Sequence, residues 1–500
     1  MTRLVMLNQA LRLTDNPLLQ QQDDCIALLQ QQDDCIALVL LEKKQFFGSQ
    51  FGITRASRLR LGHQLWLVED FRLQLAKLQL PLLCVLADST ELLPQLIKTL
   101  GISAVTMAEP VAEEERQLQQ LAAHYVPVSC VDLNSLLGDS LRPELAAFPD
   151  SFSQFRKARE PELRVSSACA DNNISGRWLG ATELAKTKES AAWLLTLEAN
   201  WQQQLLLCPK PHNIHIAAGR QQQAQFLAYL YENKAIYHYK QSRNQFCDVA
   251  ADGAMVPPGQ TPGYASFLST ALSHGSLSVR WVWQQICQLE QSLGANDSTY
   301  WLKFELLWRE YFRWHQRKFG AALFRRQGLG RHPVPESQGD MALQQLKFQL
   351  WCQGQTGVPL VDANMRFLLQ TGLMSNRGRQ LVASYLIYDL ALDWRFGAAF
   401  FEQQLLDYDV ASNWGNWAYI AGAGTAPGRY FNQLKQALQY DPAAVFIRSQ
   451  LPELRSLGMA AHLPYVSSIA APYAAQLGLP PARPDWHSSL EKLQQQLQNP

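Results

Sequence analysis

Residues 407–417 read DYDVASNWGNW, and residues 356–381 read TGVPLVDANMRFLLQTGLMSNRGRQL. In the shorter stretch Asp407, Asp409, Asn413, Trp414 and Trp417 fall within eleven positions, with Gly415 between the indoles. By itself an Asp-x-Asp pair suits a solvated turn or a helix cap, because a short carboxylate readily bonds nearby backbone N–H groups. The surroundings are helical in pattern. Residues 221–233 (QQQAQFLAYLYEN), 298–319 (STYWLKFELLWREYFRWHQRKF) and 377–392 (RGRQLVASYLIYDLAL) place apolar side chains at three- and four-residue spacing, the period of one helix face. The second half of the chain is therefore expected to be mostly α, interrupted by a Gly/Pro-rich loop at 248–264.

Toward the N-terminus the period changes. Residues 3–8, 35–41, 82–87 and 102–107 are short apolar runs, and an amphipathic stretch at 57–79 lies between the later ones. Strands alternating with helices imply a doubly wound parallel sheet. Asn16 followed by Pro17 offers a cap and a first helical residue, which puts the first βα turn near 9–16. The decapeptide LLQQQDDCIA occurs at 18–27 and again at 28–37. Two copies do not make a solenoid, and ten residues advance a helix by roughly 1000°, not a whole number of turns. The second copy is expected as a surface bulge, which chain entropy tolerates. Between 133 and 217 the period is lost and prolines accumulate. The expected organisation is an α/β domain at 1–132, a connection at 133–217, a helical domain at 218–485 and a Gln-rich polar tail at 486–500.

Five hundred residues suit two domains, and 47% apolar with 10% aromatic composition supplies both cores. Lys and Arg number 44 against 43 acidic residues, so no global field draws the chain to nucleic acid or lipid, and any such attraction is local. Nine scattered cysteines, without C-x-x-C or metal-ligand spacing, favour reduced thiols in the cytoplasm and no metal site. The start MTRLVMLNQA lacks the layout of a signal peptide, and no apolar run approaches the ~20 residues of a bilayer span. A soluble cytoplasmic monomer is expected.

The two opening stretches, with SNRGRQ at 375–380, resemble the flavin-holding core of the photolyase/cryptochrome family and its DASH branch. The resemblance implies an α/β doubly wound parallel-sheet N-terminal domain plus a mostly α-helical C-terminal FAD-binding domain. It also implies roles. Asp409 would accept hydrogen bonds from the flavin ring and ribityl side, Asn413 would lie near N5, and Arg379 would pair with Asp407 beside the ring. Asn376 and Arg377 belong to the same stretch, and Gly378 suggests close backbone approach. YKQSRN at 239–244 resembles a second cofactor element. From it Tyr239, Lys240, Ser242 and Arg243 are carried over, the last three with groups suited to a pyrophosphate. ASFLST at 265–270 resembles a phosphate cradle through Ser266, Leu268 and Ser269. Ala265 there lacks a hydroxyl and Thr270 replaces a proline, which should weaken FAD binding by on the order of 1 kcal/mol.

Further along, Arg309 matches a flavin-contacting arginine, while Glu305 and Trp308 match residues that meet a flipped pyrimidine dimer. Read without the resemblance, they belong to an amphipathic helix with core aromatics. Trp417 and Trp394 match two members of the tryptophan series that re-reduces the flavin, and Met341 stands where the third is usual. Trp314, Trp351 or a tyrosine is the alternative exit. A methenyltetrahydrofolate antenna is implied by Glu113 and by FSQFRK at 152–157, although the usual first-strand signature keeps only Leu11 and Arg12, followed by Asp15, Asn16 and Pro17.

Between 303 and 331 eight basic residues face two acidic ones, and Arg309, Arg313 and Arg317 share a helix face. A basic stripe beside the flavin favours a phosphate backbone as partner over a merely solvated face. The expected function is light-driven repair of cyclobutane pyrimidine dimers, preferentially in single-stranded DNA. Its rivals are a non-enzymatic blue-light receptor and a decayed relative that binds flavin weakly.

Overall fold

A computed structural model describes residues 2–19, 34–137, 145–168, 174, 176–185, 187–211, 218–250, 255–256, 263, 265–464 and 484–498. The chain divides into two compact units. One comprises Met1–Lys234, Phe267–Gly320 and Leu406–Ser412; the other comprises Ala235–Ser266, Ala321–Leu405 and Asn413–Pro500. Most of the duplicated decapeptide and most of the loop at 248–264 lie outside the described residues.

The first unit is built on a parallel sheet of β1 (Thr2–Met6), β2 (Asp34–Glu42), β3 (Leu82–Ala87), β4 (Ala104–Ala108) and β5 (Val128–Val131), in the order β3-β2-β1-β4-β5. A sixth, two-residue strand, β6 (Arg177–Trp178), pairs with the start of β2. Alternate residues serve opposite faces. Val5, Cys35, Ala37, Val39 and Cys84 join one apolar layer with Leu65, Val68 and Phe71 of α1 (Arg58–Ala76). Leu4, Met6, Leu38, Val85 and Val105 join the other with Leu92, Leu93 and Leu96 of α2 (Ser89–Leu100). Next come α3 (Glu113–Tyr125), α4 (Phe152–Arg159) and α5 (Lys188–Leu207). The expected connection at 133–217 is thus partly structured, because Leu194 and Leu197 of α5 bury in one layer and Trp201 and Leu205 in the other. The unit also contains α6 (Leu268–Ser273), α7 (Val279–Leu293) and α8 (Asp297–Phe319). The α8 segment, expected in the helical domain, clusters with the sheet instead.

The second unit is helical: α9 (Met341–Gln353), α10 (Pro359–Thr371), α11 (Asn376–Ser384), α12 (Trp394–Gln404), α13 (Val410–Ala421, whose first residues cluster with the first unit), α14 (Gln433–Tyr440), α15 (Val445–Gln450) and α16 (His487–Gln498). The expected polar tail is therefore mostly α16, with Leu493 buried and the preceding Trp486 donating to Tyr430 Oη at 2.9 Å. Asp362 closes the turn before α10, accepting from Thr356 N, Thr356 Oγ1 and Gly357 N at 2.7–2.8 Å.

Burial raises the Asp362 pKa to about 6, against the pull of those donors. The native state then holds this proton more tightly than the unfolded chain. Its stabilisation is full below about pH 4 and is lost as pH rises through about 6. Asp441, also raised to about 6 by burial, adds with the same sign. Asp362→Asn is expected to flatten the dependence of urea-unfolding free energy on pH across that window; an unchanged slope would show that Asp362 does not titrate there.

Candidate flavin site

The sequence-nominated residues divide between the units: Leu268, Ser269, Arg309, Asp407 and Asp409 in the first, and Tyr239, Lys240, Ser242, Arg243, Ser266, Asn376, Arg377, Arg379, Trp394, Asn413 and Trp417 in the second. In the first unit the segment before α13 is gripped residue by residue. Buried His274 bonds the Leu406 carbonyl through Nε2 at 2.9 Å. Burial lowers the His274 pKa, so the ring stays neutral at neutral pH and donates from that nitrogen. The Arg60 guanidinium lies 4.6 Å from the centre of the Tyr408 ring. Asp409 caps α13 by accepting from Ser412 N at 2.7 Å. Its carboxylate is therefore held in place, and it also lines a cavity of about 620 Å³. Met6, Asn8, Glu42, Met107 and Ala108, at the carboxyl ends of β1, β2 and β4, line the same cavity. Here the strand order reverses about β1, the place where open α/β sheets receive ligands.

In the second unit two separate strings of the sequence meet. Arg377, near the start of α11, donates to Asn244 Oδ1 at 3.0 Å and lies over the Tyr440 ring at 5.1 Å, so 239–244 and 375–380 form one wall. Sequence reading did not single out Asn244, although it ends the YKQSRN string. Ser242 Oγ and Arg377 Nε are buried without a hydrogen-bond partner among the described residues. Buried polar atoms of this kind need a partner, and a hydroxyl and a guanidinium together fit the phosphate and polar ring atoms of FAD. The close approach at Gly378 is to protein: a Cβ there would stand 2.1 Å from Asn364 Oδ1. Asn413 donates from Nδ2 to Ala398 O at 3.0 Å, which fixes the amide plane. One turn later Trp417, 3% exposed, lies flush on Gly397, where a Cβ would meet the indole at 2.2 Å. Its ring neighbours are Phe401 at 5.1 Å and Trp351 at 6.2 Å. Trp394 instead meets Trp414 at 5.8 Å and donates to Arg326 O. Met341 is 86% exposed.

Other nominated residues are differently engaged. Phe152 of α4 stacks on Trp308 at 3.6 Å and 10°, and Phe312 lies near the same indole at 5.5 Å. Glu305, three residues earlier on α8, is half-buried. The expected basic stripe is largely internal. Arg309 donates to Asn134 O and Leu272 O, Arg313 is buried, Arg317 pairs with Asp132 at 3.3 Å, and Lys318 pairs with Asp150 at 2.8 Å. Glu113 is bonded by Arg116 and Gln117 of its own helix, and Phe155 is buried beside Tyr311.

Family models match at residues 3–171, "DNA photolyase", and 301–480, "FAD binding domain of DNA photolyase". The cryptochrome DASH of Synechocystis is 33% identical over 463 residues, covering 90% of this chain and 89% of that protein. The cryptochrome DASH of Gloeobacter violaceus is 37% identical over 425 residues, covering 83% and 80%. The crystal structure of a Synechocystis cryptochrome superposes with a TM-score of 0.76 at 31% identity, over 99% of this chain and 98% of that one. Relatedness of this extent, joined to the wall that presents Ser242 and Arg377, identifies the chain as a member of the DASH cryptochromes, FAD-binding flavoproteins of the photolyase/cryptochrome family.

Proposed function

We propose that this chain repairs cyclobutane pyrimidine dimers in single-stranded DNA under light, as a cytoplasmic monomer. When bound, FAD supplies the light-driven electron chemistry. The observation that carries the reading is the indole of Trp417, locked on Gly397 one helical turn from Asn413. An oxidisable ring held on the same helix as an amide that the family resemblance assigns to the flavin suits an electron donor to that cofactor. Ser242, Arg243 and Arg377 would hold the phosphates and ring edge, and Asp409 would accept from the ring and ribityl side. Asn413, its N–H₂ turned to Ala398, would offer its carbonyl oxygen as acceptor. Among the described residues no helix is long and apolar enough to cross a membrane.

The deciding experiment is light-dependent repair of a dimer-containing oligonucleotide by the flavin-loaded protein. Loss of dimers in light but not in darkness is expected, and none in either would reject repair. Asp409→Ala is expected to weaken FAD binding by about tenfold, roughly one charged hydrogen bond. Unchanged affinity in a fluorescence titration would remove Asp409 from the site.

Phosphate contact moves from the internal arginines to exposed Arg325 and Arg331, just beyond α8. Replacing both with alanine is expected to reduce the salt slope of single-strand binding by about 0.7 per contact. Arg313→Ala should leave the slope unchanged; the reverse pattern would restore the buried stripe as the DNA surface.

A second reading is favoured by one contact. Phe152 covers one face of Trp308, the indole that the family resemblance assigns to a flipped base. If α4 stays in place with DNA present, the protein is a blue-light receptor whose flavin responds to light without repair.

A further inference from the structure

The first βα loop keeps Arg12 of the antenna-like signature, followed by Asp15 and Asn16, and none of the three lines the cavity at the sheet ends. All three are buried, Arg12 at 1% exposure. Arg12 donates from Nε to Asp15 O at 3.1 Å, from Nη1 to Asn134 Oδ1 at 3.1 Å and Gly275 O at 2.9 Å, and from Nη2 to Leu133 O at 2.8 Å. Burial lowers its pKa to about 10, which still leaves it charged at neutral pH. Arg309 grips the same place from the other side, donating to Asn134 O at 2.8 Å and Leu272 O at 3.1 Å. Asn134 closes the ring by donating to Gln9 O at 3.0 Å.

Two guanidinium groups thus hold the carbonyls at the end of α6, a helix of only six residues. A helix this short does not hold itself, so its position is set by what grips it. The grip is tight: Gly275 has φ +66°, and a Cβ there would stand 1.9 Å from Gln9 O. Asp15 fixes the far side of the turn, accepting from Ser278 Oγ and, at 2.9 Å each, from two nitrogens of Arg280. At its other end α6 carries Leu268 and Ser269, the cradle residues of the first unit, entered through Phe267 in the left-handed region at φ +52°.

We propose that Arg12 is a positioning residue for the flavin phosphates, acting through the turn at 272–275 to place the Ser269 hydroxyl. The proposal rests on the cradle reading of Ser269. A guanidinium can bond four acceptors spread in a plane, whereas an ammonium presents its donors from one point. Arg12→Lys therefore keeps the charge and loses the geometry.

The test is a double-mutant cycle on FAD affinity, measured by titrating apoprotein and read as dissociation constants. Ser269→Ala is expected to weaken FAD by about tenfold, and Arg12→Lys by about fivefold. The double variant should match Ser269→Ala alone, because Arg12 acts through the contact that Ser269→Ala removes. Arg12→Lys combined with Ser242→Ala, on the other cofactor element, should multiply the two losses. Leu96→Ala, in the opposite apolar layer, should lower the melting temperature and leave FAD affinity unchanged. Affinity within twofold of the parent for Arg12→Lys, independent losses with Ser269→Ala, or no effect of Ser269→Ala would each overturn the proposal. A parent that binds no FAD would instead overturn the flavin reading. If Arg12→Lys does not fold, Asn134→Ala removes one of its four bonds, and the same non-additivity with Ser269→Ala is required.

Discussion

Glu310→Ala is expected to destabilise the first unit by about 3–5 kcal/mol, more than a typical single substitution costs. Glu310 is 1% exposed. Its carboxylate accepts from the Ser135 hydroxyl, Leu136 N at 3.0 Å, Leu137 N at 3.4 Å and the Trp314 indole N–H at 2.7 Å. Alanine would strand these donors in an apolar setting where each must otherwise find water. Glu310→Gln keeps the volume and one acceptor oxygen, so about 1–3 kcal/mol is expected for it. Urea unfolding of the apoprotein measures both, and a cost below about 1 kcal/mol for alanine would mean that the backbone at 135–137 is held by something else.

The same helix shows where local pattern stops being informative. The three- and four-residue period at 298–319 correctly marks a helix and shows that Arg309, Arg313 and Arg317 share a face. It does not show what that face meets. Arg309, Arg317 and Lys318 reach Asn134, Asp132 and Asp150, more than 160 residues earlier. A charge tally along the chain counts a side chain the same way whether its counter-charge is solvent or a distant loop. The core strands β1 to β4 were legible as apolar runs because both of their faces are buried. The edge strand β5 is half-buried throughout and β6 has two residues, so neither presents a run.

The strings that meet in the second unit were legible for a different reason. Short strings such as SNRGRQ and YKQSRN carry their chemistry locally, and only their meeting through Asn244 and Arg377 needed the fold. What stayed hidden is steric. Gly397 reads as one small residue among several in WRFGAAFF, yet it is the seat of Trp417. Phe152 reads as part of an antenna segment, yet it lies on Trp308. Both depend on which ring from elsewhere in the chain arrives opposite, and a helical period says nothing of that.

Trp417→Phe is expected to leave FAD bound and to slow light-driven flavin reduction by an external reductant by at least about tenfold, a barrier rise of roughly 1.4 kcal/mol or more. Phenylalanine keeps a ring against Gly397 and Phe401 but is far harder to oxidise than indole. Two routes outward then compete. Resemblance assigns Trp394 as the next station, whereas ring contact puts Trp351 at 6.2 Å from Trp417 and pairs Trp394 with Trp414. Trp351→Phe and Trp394→Phe, measured side by side, separate them, since only the residue on the path slows reduction when changed. Repair by protein reduced chemically beforehand should survive all three substitutions, because that electron leaves the reduced flavin and not an indole. Trp308→Ala should do the opposite, sparing photoreduction and weakening dimer binding by roughly 1–3 kcal/mol if α4 yields the ring to the substrate. Photoreduction at the parent rate in Trp417→Phe would move the donor elsewhere. Dimer affinity unchanged in Trp308→Ala would mean that Phe152 keeps its place, and the receptor reading would then stand.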